Sequence, residues 1–236
     1  MEIELHRGSR AGCLGLTESI ADRLRKIVKP YATVESEKAV YFPKGPEHPH
    51  EAKLGEAEGL LSPENREAVT AWWLEVRPGA NTPNWDIAST CMVGSSPGLI
   101  LVEAKAHHGE LEPGGKPKGG NPENDAKIRD AIAEANGKLN AIMPDWHLTA
   151  DSHYQLCNRF AWGWKVASLG VPVVLVYLGF LNVTDMPGCR LLTTSEEWTH
   201  AMYKHAEGIV PREAWGKEFH INGTPLIPLI RSWPAA

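Results

Sequence analysis

The sequence predicts an α/β protein built on a central mixed β-sheet flanked by helices. Two apolar runs predict the sheet. One covers residues 99–102 after a Gly/Ser/Pro turn, and the other, VPVVLVYLGFL, covers residues 171–181. Strands this apolar are expected to be covered on both faces. Segments with helical periodicity before, between and after them supply the cover.

The elements follow in order. Residues 18–29 carry an apolar stripe of Ile20, Leu24, Ile27 and Val28, with Thr17 as the cap and Pro30 as the stop. Residues 38–42 read as a strand, and the Pro-, Gly- and His-rich stretch 43–62 as a surface loop. Ser62-Pro63-Glu64 opens a helix with Val69, Trp72, Trp73 and Val76 at helical spacing; residues 72–76 also suit a short strand. Residues 84–93 and the run from Leu99 to His107 form a hairpin across GSSPG. The loop 107–122 is long enough to be functional or mobile. Asn121-Pro122 then caps a helix with the stripe Ile128, Ile132, Ala135, Leu139 and Ile142. A helix over 152–169 ends at Gly170, and Thr194-x-x-Glu197 opens another reaching about residue 207. TPLIPLIRSW, with two prolines, is read as at best an edge strand.

Composition limits the function classes. No apolar run reaches the ~18 residues of a membrane helix, and the first ten residues lack a signal-peptide layout, so a cytoplasmic protein with no membrane partner is expected. The four cysteines form no CxxC pair, which argues against a zinc ribbon and for reduced, mostly buried thiols. The net charge of −5 argues against non-specific coating of nucleic acid but allows a local basic groove. The nine tryptophans are expected mainly in the core. Without repeats or a composition shift, residues 1–236 read as a single domain.

The chemistry lies where the strand "LILVEAKAH" ends in Glu103-Ala104-Lys105. Glu103 and Lys105 share a face by strand alternation. A carboxylate and an ammonium at a buried strand end need electrostatic compensation, from a metal ion or an ion pair. Asp86 stands 17 residues before Glu103 on the preceding strand. If the hairpin centres near Ser96, Asp86 faces roughly residue 106, and twist or a bulge is needed to bring it beside Glu103. Asp86 and Glu103, with the backbone carbonyl of Ala104, make a hard-oxygen set suited to Mg²⁺ or Mn²⁺. Lys105 would orient the attacking water or stabilise charge on phosphate. A second Glu-x-Lys, Glu51-Ala52-Lys53, lies in the Pro/His-rich loop with no strand before it and serves as an internal negative.

Asp86 followed by Glu103-Ala104-Lys105 resembles the PD-(D/E)xK nuclease superfamily, over about residues 63–181. The flanks 1–62 and 182–236 would be elaborations. The resemblance implies a restriction-endonuclease-like core of helix, three-stranded meander, helix and strand, with Trp72 to Val76 as a candidate for the first meander strand. This chain departs from the pattern in reading Asn84-Trp85-Asp86, with Pro83 three places before the aspartate. The resemblance also implies a polar residue on the helix after the meander, which Gln155 and Arg159 match, Gln155 with a catalytic role. It implies a helix-borne glutamate at the metal, for which Glu67 ranks ahead of Glu64 and Glu75. The expected activity is divalent-metal-dependent phosphodiester hydrolysis, with DNA as substrate and a homodimer as one arrangement. The alternatives are a catalytically silent scaffold or nucleic-acid-binding protein, and a hydrolase acting on something smaller.

Other candidates are secondary. His107 shares the Glu103 face and could touch phosphate or water; His108 points the other way, and His153 is an outsider. Lys116 and Lys118 could contact a phosphate backbone.

Overall fold

The computed structural model describes residues 6–117 and 120–235. In chain order the elements are α1 (Gly8–Leu16), α2 (Ile20–Val28), β1 (Tyr41–Phe42), β2 (Ala52–Lys53), α3 (Pro63–Trp73), β3 (Asn84–Trp85), β4 (Ile87–Val93) and β5 (Ser96–Lys105). They continue with α4 (Pro122–Asn140), α5 (Tyr154–Ser168), β6 (Val173–Leu181), α6 (Ser195–Ala206), β7 (Phe219–Ile221) and β8 (Thr224–Pro234).

Six strands form one mixed sheet in the order β1-β4-β5-β6-β8-β7, and β2 pairs with β3 in a separate ribbon. The apolar runs occupy the centre as expected. β5 and β6 pair in parallel from Leu99–Val173 to Lys105–Gly179, with α4 and α5 in the crossover between them. Alternation sorts their side chains into two cores. Leu99, Leu101, Val173, Leu175 and Tyr177 pack with α3, α4, α5 and α6. Ile100, Val102, Ala104, Val174, Val176 and Leu178 pack with α1 and α2 on the other face. Each such Val, Leu or Ile side chain, removed from water, contributes roughly 1.5–3 kcal/mol.

Several elements fall where the sequence places them. Asn121 caps α4 by accepting from the Glu123 and Asn124 amides at 2.8 and 3.2 Å. Ile128, Ile132, Ala135 and Leu139 are buried, while Ile142 lies past the helix end and is 46% exposed. Thr194 caps α6 through the Glu197 amide at 3.1 Å. Glu197 does not close the expected box on Thr194; its carboxylate takes the Thr193 amide and hydroxyl instead. Cys13, Cys91 and Cys157 are buried and free.

Other elements differ. Residues 8–16 form a helix that the sequence reading left out, and Thr17 closes it by donating to the Leu14 carbonyl rather than opening the next. Trp72 and Trp73 finish α3, so residues 72–76 do not form the expected strand; the antiparallel neighbour of β4 on its outer side is β1. The loop 43–62 contains β2. The C-terminal segment is an interior strand, not an edge, because its prolines fall where no ladder needs their N–H. Pro225 precedes the first pair with β6, Val173–Leu226. Pro228 turns its nitrogen toward β7, which pairs only as far as Leu226. No helix among the described residues is long and apolar enough to cross a membrane.

Candidate active site

The site forms where β4 stops and β5 continues. The β4–β5 turn is Gly94-Ser95, so Val93 pairs with Ser96 and the ladder ends at Ile87–Val102. One further step sets Asp86 opposite Glu103 with no bulge. The expected centre near Ser96 is therefore corrected, and the twist or bulge it called for is unnecessary. Beyond Asp86 the chain leaves the sheet, because Asn84 and Trp85 pair with Lys53 and Ala52 instead. Fully buried Trp85 anchors that departure. The Ala104 amide, left without a strand partner, donates to Asp86 Oδ2 at 2.7 Å. The Ala104 carbonyl lies on the same side of the strand.

Glu103 is buried, at 1% exposure. Its Oε1 accepts from Lys105 Nζ at 2.5 Å and its Oε2 from Arg159 Nε at 2.6 Å. Lys105 Nζ also donates to Gln155 Oε1 at 2.8 Å. Gln155 and Arg159 stand one turn apart on α5, so one helix face meets both ends of the Glu103–Lys105 pair. Arg159 further donates to the Asn84 carbonyl at 2.6 Å and to Asn158 Oδ1 at 2.9 Å, and lies 4.6 Å over the Trp85 ring. One guanidinium thus ties α5 to both strand ends.

The two carboxylates differ electrostatically. Burial, reinforced by the Glu103 charge, pushes Asp86 up to about 7. Burial would also raise Glu103, but Arg159 and Lys105 outweigh it and hold that carboxyl below its usual range. Asp86 is the carboxylate without a direct ion pair; Lys105 and Arg159 act on it only from a distance.

Asp86, Lys105, Gln155 and Arg159 open onto a cavity of about 950 Å³. One wall is the chain from α3 to β3, the other the chain leading into α4. Lys116 lines it, ion-paired with Asp125. Lys118 lies outside the described residues.

Not every candidate reaches the site. Glu67 is exposed on α3 and pairs with Arg77 at 2.6 and 2.8 Å, away from the cavity. Glu64 is exposed, and Glu75 pairs with Lys127 at 3.1 Å. His107 is turned onto the Gly109 amide, His108 bonds Glu197 at 2.9 Å, and His153 packs against His205 with the rings tilted. None of these histidines lines the cavity.

Glu51 was missed. The Glu-x-Lys copy set aside as a negative does have a strand, and its pairing with β3 carries Glu51 to the cavity rim. There Glu51 accepts from Arg10 at 2.7 Å and from Asn84 Nδ2 at 3.0 Å. Glu110, also unforeseen, lines the cavity and caps the end of β5 through the Ala106 and His107 amides. The repeated Glu-x-Lys was a signal for Glu51; nothing local marked Glu110.

Among the described residues, no three His, Cys, Asp or Glu side chains converge as a metal cluster. Asp86, which lines the cavity, fits a hard divalent ion, because Mg²⁺ is commonly held by one or two carboxylates and fills its shell with water and phosphate; Glu103, both of whose oxygens accept from cations, would join it only on release of Lys105 or Arg159. Asp86 is free for that role, since its carboxylate lines the cavity and makes no ion pair of its own among the described residues.

No family model, no curated protein and no solved structure matches this chain.

Proposed function

We propose that this protein is a divalent-metal-dependent phosphodiester hydrolase acting on nucleic acid, with DNA as the favoured substrate. The observation that carries the reading is Asp86 directly across from Glu103, with Lys105 on the next residue of the same face and Gln155 holding its ammonium. Restriction-endonuclease-like organisation agrees with the antiparallel order β1-β4-β5, the helix α5 and the parallel strand β6.

Asp86, Glu103 and the Ala104 carbonyl would hold Mg²⁺ or Mn²⁺, which would polarise the phosphoryl oxygen and acidify a bound water. The residues themselves have separate tasks. Lys105 presents a proton donor at the cavity floor, where charge accumulates on the phosphate. Gln155 accepts from Lys105 and so fixes its direction. Arg159 neutralises Glu103 and locks Asn84, and with it the approach to Asp86.

The double ion pair on Glu103 favours a second reading, in which the cluster is a neutral structural element and the protein a silent scaffold. Cleavage of plasmid, linear duplex and single-stranded DNA separates the two. Metal-dependent cutting lost in Asp86→Ala and Lys105→Ala supports the hydrolase. Absence of cutting, together with no Mn²⁺ binding by calorimetry, supports the scaffold.

A further inference from the structure

We infer that the cavity admits an unpaired polynucleotide stretch, a single strand or a frayed end, and not an intact duplex; the inference rests on the hydrolase reading above. Depth is the first ground. Lys105 is 7% exposed, so a phosphodiester must descend into the cavity to meet it. A volume of about 950 Å³ is of small-ligand size. It takes a few nucleotides, less than a segment of intact double helix occupies.

The walls are pinned by backbone bonds. On one side Asn124 Oδ1 accepts from the Glu75 and Val76 amides, both at 2.8 Å, and Asn124 Nδ2 returns a bond to the Val76 carbonyl at 2.7 Å. On the other, Lys116 N–H donates to the Ala150 carbonyl at 2.7 Å and Tyr154 N–H to the Gly114 carbonyl at 2.9 Å. Gly115 lies so close to Asp151 that a Cβ there would come within 2.4 Å of its carbonyl oxygen. Widening the cavity for a duplex would break these bonds together.

Charge is the independent ground. Any polynucleotide draws affinity from cations free to displace counterions, and a duplex, with one charge per about 1.7 Å of axis, depends on them most. Among the described residues lining the cavity, each cation already has a carboxylate: Lys105 and Arg159 share Glu103, and Lys116 has Asp125. Glu51, Glu110 and Glu112 add negative charge around them. Such a cavity selects a short segment brought in with a divalent ion, not a long polyanion laid across the surface.

The test is competition in Mn²⁺, with Lys105→Met protein holding a fluorescent oligothymidylate read by anisotropy. Unlabelled single strand is expected to displace the probe about tenfold better than a dumbbell duplex with closed ends. A duplex bearing a single-stranded tail is expected to behave as the single strand. Equal or better displacement by the dumbbell overturns the inference, and so does failure of the probe to bind. Wild-type protein supplies the parallel measurement, in which it cuts single strand and leaves the dumbbell intact; dumbbell cutting at an equal rate again overturns it. Single-strand binding without any cutting by wild type keeps the inference and removes the hydrolase reading.

Discussion

Asp86 stands opposite Glu103 one step past the last β4–β5 pair, and its Oδ2 takes the Ala104 amide at 2.7 Å. Two carboxylates are brought to one strand end while only one of them, Glu103, receives cations. The asymmetry has measurable consequences.

The first concerns pH. Asp86 ionises near 3.8 when unfolded and near 7 when folded. Between those values the native state holds the extra proton, so this group makes stability fall as pH rises. In EDTA, the urea midpoint of wild type is expected to drop across that window relative to Asp86→Asn. The difference should be on the order of 2 kcal/mol, allowing for the partial exposure of Asp86. Parallel pH profiles for the two proteins would contradict the arrangement.

Metal should reverse that penalty. Binding to the folded protein alone stabilises by mass action, about 2.7 kcal/mol at a hundredfold excess over Kd. Thermal unfolding with and without Mn²⁺ should show a rise in Tm for wild type and little or none for Asp86→Asn.

Arg159→Met tests the other carboxylate. It leaves Glu103 buried with Lys105 alone and frees the Asn84 carbonyl. Removing one partner of a buried pair costs about 3–5 kcal/mol. Adding Glu103→Gln should recover part of the loss, measured by urea denaturation of the single and double variants.

Asn124→Ala removes three part-buried hydrogen bonds between α4 and the chain after α3. A loss of about 2–3 kcal/mol is expected, with Mn²⁺ affinity kept because Asp86 and Glu103 are untouched. Glu67→Ala, by contrast, should leave both cleavage and the urea midpoint at wild-type values, since Glu67 meets only Arg77 outside the cavity.

Much of the sheet was legible because its signals are local. The apolar runs of β5 and β6, the Asn121 cap of α4 and the i, i+4 pair Gln155 and Arg159 each follow from a few adjacent residues. The site's register was half legible. Asp86 and Glu103 were brought together in the sequence reading, but with Asp86 opposite about residue 106; their direct opposition depends on the turn falling at Gly94-Ser95 within GSSPG. α1 was hidden by Gly8, Gly12 and Gly15, poor helix formers that packing overrides. Asn222-Gly223, with both φ angles positive, marks the β7–β8 hairpin and was a usable signal left unread. Glu51 joins the site only through the β2–β3 pairing, a tertiary event that the repeated Glu-x-Lys flags but does not locate.

The most direct measurement is the initial rate of oligonucleotide cleavage in Mn²⁺ by wild type and Lys105→Met side by side, with circular dichroism showing both folded. Metal-dependent cleavage by wild type, reduced about 100-fold or more in the variant, is the expected result. Equal rates in the two proteins, or no cleavage by a wild type that also binds no Mn²⁺, would contradict a hydrolytic site at Asp86, Glu103 and Lys105.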